Sequence, residues 1–225
     1  MFDFKSLPLA RREPSARAPV VGHGGRGLVA KLPRLPWRPG RGPEVQRADA
    51  AAQSVATRLL LTLLFTDIVE STQTAERLGD EGWRALLARH HAIVRAKLAL
   101  FRGREVDKAG DGFFATFDRP GLAVCCAEAI RAALEEIGVC VRAGIHAGEC
   151  DIFDGDVTGV AVHVAARVAS IAEPGEILVS STLRDLLAGS GFEFADRDWH
   201  ALKGLSGTRQ LFALNGRQPV TTASS

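Results

Sequence analysis

Apolar and polar positions follow regular patterns from about residue 58 onward, and the patterns switch between those of strands and those of helices. Residues 59–66 form an almost wholly apolar run of strand length that stops at Asp67. Between residues 80 and 101, apolar side chains recur at intervals of three and four, which predicts a helix. The same criteria predict further helices over residues 71–78, 120–137, 160–171 and 181–187, and further strands over residues 139–149, 176–180, 192–195 and 210–214.

A hairpin is predicted where the stretch EVDKAGDGFFATF occupies residues 105–117. Apolar residues alternate beside residues 108–112, which contain two glycines and so suit a turn. A turn needs glycine and often one aspartate, but this one has Asp107 and Asp111 on either side of Lys108. The extra charges make the hairpin a candidate for chemistry.

Helices interspersed with hairpins predict an α+β fold with a mixed, mainly antiparallel sheet flanked by helices. A doubly wound fold would instead alternate each strand with one helix. The predicted domain covers residues 58–215, and its last two strands enclose the loop HALKGLSG. Residues 216–225 are expected to be a flexible tail.

The composition is that of a globular protein, because 46% of the 225 residues are hydrophobic and 24% are charged. No apolar run approaches the roughly 20 residues of a membrane-spanning helix, so no membrane span is expected. The start of the chain lacks the apolar stretch of a signal peptide. The four cysteines have no CxxC spacing, which favours free thiols in a cytoplasmic protein over disulfides or zinc.

The net charge of +2 hides an uneven distribution along the chain. Residues 1–47 contain ten Lys and Arg against three Asp and Glu, whereas the remainder contains 18 against 23. Residues 1–57 are rich in Pro, Gly and Arg without a helical or strand period, so they are predicted to be a disordered basic leader. An arm for nucleic acid or an acidic membrane is the alternative, but no recognition motif supports it, and no nucleic-acid partner is expected.

Asp67 ends the first predicted strand, and Asp111 lies in the hairpin turn. In a ferredoxin-like sheet these positions lie side by side, and two unpaired carboxylates at short distance repel each other. A divalent cation removes that conflict, and Mg²⁺ typically takes one or two carboxylates together with phosphate oxygens. The helix that begins at Ser71 and Thr72 adds N–H groups suited to phosphate. Together these features predict a metal-assisted nucleotidyl-transfer site, whereas each aspartate alone would be interpreted as a helix cap or a turn residue.

Four stretches of the chain, in order, resemble motifs of the class III nucleotidyl cyclases. FTDIVEST and GDGFFATF are similar to the two metal motifs of that family, GVAVHVAARV to the helix with the catalytic arginine, and LKGLSG to a late loop with a phosphate-binding lysine. GIHAGE and PGEILVSS match the strands between them. The resemblance extends over roughly residues 58–214, is strongest to the bacterial AVHVAAR type, and implies the palm-like, ferredoxin-like cyclase fold.

The resemblance also implies a head-to-tail homodimer whose active sites are shared between two chains. Asp67 and Asp111 of one chain would hold two Mg²⁺ or Mn²⁺ ions, with the carbonyl of Ile68 as a further ligand. Arg167 of the other chain would stabilise charge on the α-phosphate, and Lys203 would hold the terminal phosphates. The ribose 3′-hydroxyl would attack the α-phosphorus and expel pyrophosphate.

Two positions depart from the family pattern. His163 stands four residues before Arg167, where the family usually has an asparagine that orients the ribose, and imidazole can donate a similar hydrogen bond. Asp107 stands where adenylate cyclases have a lysine that reads adenine, while Lys108 is displaced by one residue toward the opposite face. The second base-reading position keeps an aspartate, Asp156.

The predicted function is therefore an adenylate cyclase that makes cyclic AMP from ATP. A GTP-using or promiscuous cyclase is the alternative within the enzyme class, since guanylate cyclases resemble this chain in having an acid at the position of Asp107. A catalytically silent cyclase-like module that binds nucleotide or dimerises is the alternative outside it. Asp107 favours these alternatives, whereas Asp67, Asp111, Arg167 and Lys203 together favour catalysis.

Two other groups of residues are weaker candidates. His90 and His91 are adjacent on a helix, so they cannot share a ligand face and are interpreted as core or surface histidines. His146 and Glu149 face opposite sides of a predicted strand, which does not suit a zinc pair.

Overall fold

The computed structural model of the chain describes residues 57–153 and 155–217. The predicted leader lies outside the described residues except for Thr57, and so does the predicted tail beyond Arg217. In the described ranges, no helix is long and apolar enough to cross a membrane. The elements are β1 (Thr57–Ile68), α1 (Ser71–Leu100), β2 (Arg104–Ala109), β3 (Gly112–Phe117), α2 (Pro120–Glu135), β4 (Val141–Phe153), β5 (Asp156–Thr158), α3 (Val160–Ile171), β6 (Ile177–Ser180), α4 (Ser181–Leu186), β7 (Phe192–Ala201) and β8 (Thr208–Arg217).

The strands form one sheet in the order β2–β3–β1–β4–β6–β8–β7, with β5 paired to β4 outside this path. Among the described strands, β4 and β6 run parallel, and the other neighbours are antiparallel. The predicted α+β fold with a mixed, mainly antiparallel sheet is thereby confirmed. The β2–β3 hairpin lies beside β1, as the ferredoxin-like arrangement requires.

Strand β1 lies inside the sheet, which explains why its sequence is apolar without alternation. It pairs with β3 on one side and with β4 along its whole length on the other. Leu64 and Ile68 pack in the core formed with α1 and α2, whereas Leu63 and Phe65 pack in the cluster formed with α3. Both faces of β1 are therefore buried from Leu61 to Ile68, so polar alternation would be unfavourable there.

Helix α3 lies very close to β4 because two glycines leave room for it. A Cβ atom at Gly144 would lie 2.1 Å from the backbone nitrogen of Ala169, and one at Gly148 would lie 2.7 Å from the Cβ of Ala161. No side chain fits at such distances, so the GIHAGE motif sets the height of α3 above the sheet. The motif thus fixes the helix that carries Arg167.

The two helices predicted over residues 71–78 and 80–101 are both present within α1, on either side of a kink at Gly79, whose backbone is not helical (φ 67°, ψ 173°). Two details differ from the predicted elements. The strands predicted over residues 192–195 and 210–214 belong to the longer β7–β8 hairpin. Strand β5 was not predicted, because three residues are too few for a periodic signal.

Candidate active site

Asp67 is buried near the end of β1, shortly before the first turn of α1. Its side chain is 5% exposed, and Arg142, directly opposite on β4, donates a hydrogen bond from Nη2 to Oδ2 at 2.8 Å. The other carboxylate oxygen, Oδ1, is buried with no hydrogen-bond partner. Such an acceptor costs free energy unless a donor or a cation reaches it.

Asp111 brings a second buried carboxylate to the same place. It lies in the turn between β2 and β3 and is 1% exposed. Strand β3 pairs with β1 up to Phe113 opposite Thr66, so the turn lies beside Asp67. Burial raises the pKa of Asp67, the nearby charge of Asp111 raises it further, and the bond from Arg142 opposes both effects. The structure thus brings together the two aspartates that the sequence predicts as a pair.

A divalent cation fits this set of donors. It would offset the repulsion between the two carboxylates and ligate the unpartnered Oδ1 of Asp67. Ile68 buries its side chain in the core, so its backbone carbonyl is the group it could offer as a ligand. Among residues 57–153 and 155–217, no group of three or more His, Cys, Asp or Glu could hold a metal, so further ligands would be phosphate oxygens or water.

Helix α1 begins shortly after Asp67. Its first turn contains Ser71, which is buried, and Thr72, which is exposed. Glu70 precedes them with a left-handed backbone (φ 54°) and makes no side-chain capping hydrogen bond. The N–H groups of a first helical turn lack intrahelical acceptors and can bind an anion. The predicted phosphate-binding position at Ser71 and Thr72 is therefore next to the predicted metal site.

Asp107 and Asp156 line a common cavity of about 360 Å³. Lys108 does not line this cavity, and its backbone N–H donates to Oδ1 of Asp107 at 2.7 Å. A β-bulge between Glu105 and Asp107 accompanies this register. An apolar cavity with two acids suits a flat ring that carries hydrogen-bond donors. The remaining walls are Phe65 and Phe114, which stack with 4.4 Å between ring centroids, together with Val106, Val157, Thr158 and Val162.

Arg167 and Lys203 line a second cavity, of about 300 Å³. Arg167 is 8% exposed on α3, and its Nε donates to the backbone carbonyl of Lys203 at 3.2 Å. Lys203 itself is exposed in the loop between β7 and β8. His163 is half-buried one turn before Arg167 on the same side of α3. Two cationic side chains at one cavity suit a phosphate group.

The acids and the two cavities are separate features of the chain. Neither Asp67 nor Asp111 lines either cavity. The structure therefore brings together the residues of each predicted pair, namely the metal pair, the base-reading pair and the phosphate pair. Neither cavity joins one of these pairs to another.

Sequence reasoning missed Arg142, the partner of Asp67. Its role follows from the β1–β4 register, which places the two residues directly opposite each other. The available signal was a single charge in the otherwise apolar run VCVRAGI. A mostly buried strand admits a cation chiefly where an acid faces it.

A family model described as the adenylate and guanylate cyclase catalytic domain matches residues 57–216. A Rhizobium meliloti protein provisionally named adenylate cyclase 3 is 27% identical over 163 residues, which are 68% of this chain and 28% of that protein. An adenylate cyclase of Lachancea kluyveri is 30% identical over 152 residues, which are 54% of this chain and 8% of that enzyme. This chain thus spans only a minor part of the length of these curated relatives.

Two solved structures are similar to most of this chain. The adenylyl cyclase CyaB from P. aeruginosa superimposes with a TM-score of 0.68 at 24% identity, covering 73% of this chain and 98% of that one. An adenylate/guanylate cyclase/hydrolase from Silicibacter pomeroyi gives a TM-score of 0.63 at 27% identity, covering 71% of this chain and 98% of that one. The predicted cyclase fold is confirmed by these matches.

Proposed function

This chain belongs to the family of adenylate and guanylate cyclase catalytic domains, and we propose that it converts ATP into cyclic AMP and pyrophosphate. The observation that carries this proposal is the buried pair of Asp67 and Asp111, in which Oδ1 of Asp67 has no hydrogen-bond partner. Burying two like charges costs stability, whereas a cation-dependent nucleotidyl-transfer site requires them.

In this proposal Asp67, Asp111 and the Ile68 carbonyl would hold two Mg²⁺ or Mn²⁺ ions. When bound, such ions supply positive charge that favours ionisation of the ribose 3′-hydroxyl and offsets the charge of the triphosphate. The burial of both aspartates strengthens their electrostatic interactions, because water screens them little. The 3′-hydroxyl would lose its proton to water, its oxygen would form a bond to the α-phosphorus, and the bond from that phosphorus to the pyrophosphate oxygen would break.

Arg167 and Lys203 supply the cationic side chains that meet the phosphates. The guanidinium of Arg167 stabilises charge that grows on the α-phosphate oxygens, a role worth on the order of 10³- to 10⁵-fold for arginine fingers in GTPases. Lys203 binds the terminal phosphates, and His163, one turn before Arg167, donates a hydrogen bond to the ribose. Ser71 and Thr72 offer the N–H groups of the first turn of α1 to the triphosphate.

The proposed active site is formed by two copies of the chain in a head-to-tail homodimer. The acids of one copy would meet the cavities of the other, which agrees with the finding that Asp67 and Asp111 line neither cavity. Exposed apolar side chains on β1, on β4 and at the start of α3 also favour a covering partner, namely Leu60, Phe153 and Val160.

ATP is the proposed substrate because Asp156 can accept a hydrogen bond from the exocyclic amine of adenine. Asp107 lines the same cavity and also accepts, so it does not complement the acceptor N1 of adenine. An unmatched buried polar group costs on the order of 1–3 kcal/mol, so only weak discrimination between ATP and GTP is expected. A GTP-using or promiscuous cyclase is the second candidate, favoured by Asp107 because an acid can accept from the N1–H and N2–H groups of guanine.

The test is to incubate the purified chain with Mn²⁺ and either ATP or GTP and to identify the products by chromatography. We expect cyclic AMP and pyrophosphate in equal amounts from ATP, and less cyclic GMP from GTP. More cyclic GMP than cyclic AMP would favour the second candidate. Nucleotide binding without either product would indicate a catalytically silent module. The Asp67→Asn variant, purified in the same way, is the control for contaminating activity.

A further inference from the structure

Helix α1 contacts the hairpin that carries Asp111 at two points. Near the turn, Nε2 of His91 donates a hydrogen bond to the carbonyl oxygen of Gly110 at 3.0 Å, and since a carbonyl only accepts, Nε2 carries the proton. Farther along the hairpin, Nε and Nη2 of Arg95 donate to Glu105 at 2.7 and 2.8 Å. One helix therefore holds the hairpin both at its turn and at the far end of β2.

The ring of Phe113 adds a contact on the other side of Asp111. It lies edge-on to His90 and His91, with 5.6 and 5.4 Å between ring centroids. The backbone of Gly110, just before Asp111, and the ring of Phe113, just after it, thus contact adjacent histidines of α1. Neither histidine has a role in the proposed chemistry.

The bond to Gly110 matters because this residue determines the direction of the turn. Gly110 has a left-handed backbone (φ 60°), and without a side chain its peptide has several conformations open to it. A hydrogen bond to its carbonyl selects one of them and so sets where the next residue, Asp111, places its carboxylate. The bond from Arg95 has no such effect, since Glu105 lies at the far end of β2.

We propose that His91 is a positioning residue for Asp111, and that its hydrogen bond to Gly110 sets the affinity of the acid pair for the divalent cation. This inference rests on the metal role that the proposed function gives to Asp111. His91 lines neither cavity and is not among the proposed cation ligands. Loss of the bond therefore weakens cation binding, while the affinity for nucleotide at saturating cation stays unchanged.

The test measures Mn²⁺ binding from the electron paramagnetic resonance signal of the free ion, without turnover. His91→Phe keeps an aromatic ring against Phe113 but lacks the donor, and it should weaken Mn²⁺ binding about 3- to 10-fold. His91→Gln retains an N–H donor and should bind Mn²⁺ within about twofold of the native chain. Glu105→Gln is the matched control, because it breaks the charge pair with Arg95, leaves the Arg95 guanidinium over the ring of Phe113, and should leave Mn²⁺ binding unchanged.

Native binding by His91→Phe, or equal weakening by His91→Phe and Glu105→Gln, would overturn the inference. Asp111→Asn in the same titration separates this failure from that of the proposed function. If Asp111→Asn binds Mn²⁺ as tightly as the native chain, the metal role itself is wrong. Should His91→Phe fail to fold by circular dichroism, His91→Leu takes its place, and equal Mn²⁺ binding by His91→Leu and His91→Gln would then overturn the inference.

Discussion

The acid pair and the two cavities are built in opposite ways. Asp67 and Asp111 are 3% and 1% exposed, and Asp67 is paired with Arg142 on the neighbouring strand. By contrast, Asp107 and Lys203 are exposed where they line their cavities. The acid pair is enclosed by its own chain, whereas each cavity includes an exposed charged residue, with Arg167 beside Lys203 only 8% exposed.

This difference indicates that folding of a single chain is enough to position the acid pair. Backbone pairing of β1 with β3 and β4 positions the acids, so their geometry is set once the sheet forms. The cavities have walls and hydrogen-bonding groups, but neither is lined by Asp67 or Asp111. A second copy of the chain would supply those acids in the proposed dimer.

The largest expected effect comes from the enclosed region. Asp67→Asn should lower cyclase activity on the order of a thousandfold or more, because it removes a charged ligand from the cation site. The free energy of unfolding should change little, since asparagine has the same shape and its oxygen can still accept from Arg142. Initial rates and urea unfolding measure the two quantities. Asp151→Asn is the control, because it changes an acid that pairs with Arg58 on the surface, and its activity should be nearly native. A similar rate in both variants would contradict the metal assignment.

The packing of β4 against α3, the helix that carries Arg167, can be disrupted at Gly144. An added Cβ would lie 2.1 Å from the nitrogen of Ala169, so Gly144→Ala must push α3 away from β4. We expect a loss of about 3 kcal/mol in the free energy of unfolding by urea, and a lower rate because Arg167 is displaced. Gly82→Ala is the control, because its Cβ would meet only the side chain of Leu78. Equal stability of the two variants would show that α3 is not held as tightly as the structure indicates.

A buried histidine on β4 should make the free energy of unfolding depend on pH. His146 is 7% exposed and shares a 2.7 Å hydrogen bond with Ser180, and burial, with the nearby charge of Arg209, lowers its pKa to about 4. An unfolded histidine titrates near pH 6.5, so below that pH the unfolded state binds a proton that the folded state does not. Stability contributed by neutral His146 is therefore present above about pH 6.5 and is lost as the pH falls toward 4.

The His146→Gln variant removes this titration and keeps a polar group near Ser180. Between pH 7 and pH 5, the native chain should lose about 2 kcal/mol more of its free energy of unfolding than the variant does. Urea unfolding of both proteins at the two pH values measures the difference. Parallel losses in the two proteins would show that His146 takes up protons as readily in the folded chain as in the unfolded one.

The smallest expected effect concerns the open base cavity. Asp107→Lys supplies a donor for N1 of adenine beside the acceptor Asp156, and it should raise the ATP-to-GTP ratio of kcat/KM about tenfold. Lys108→Ala is the control, because Lys108 does not line the cavity, and it should leave the ratio unchanged. A lysine variant that loses ATP activity, or a native chain that already prefers ATP by orders of magnitude, would show that Asp107 does not face the base.

The sequence predicts those features that depend on local patterns, such as the apolar strand before Asp67. The Arg142 partner could not be predicted in this way, because pairing across two strands depends on a register that local pattern does not contain. Asp156 lies on a strand of three residues, so only the family resemblance indicated its place at the base cavity. The break between the two helices predicted over residues 71–78 and 80–101 is also a local feature, because glycine at position 79 adopts a non-helical backbone (φ 67°) at little steric cost.

Mixing two inactive variants tests most directly whether the enclosed acids of one copy work with the open cavities of another. Asp67→Asn lacks a proposed cation ligand and Arg167→Ala lacks the guanidinium proposed to bind phosphate, so each should be inactive alone. After subunit exchange, a heterodimer has one site with both changes and one site with neither. We expect an equal mixture to recover about a quarter of the native activity per chain. A mixture that stays inactive, while native protein treated in the same way remains active, would contradict the shared site.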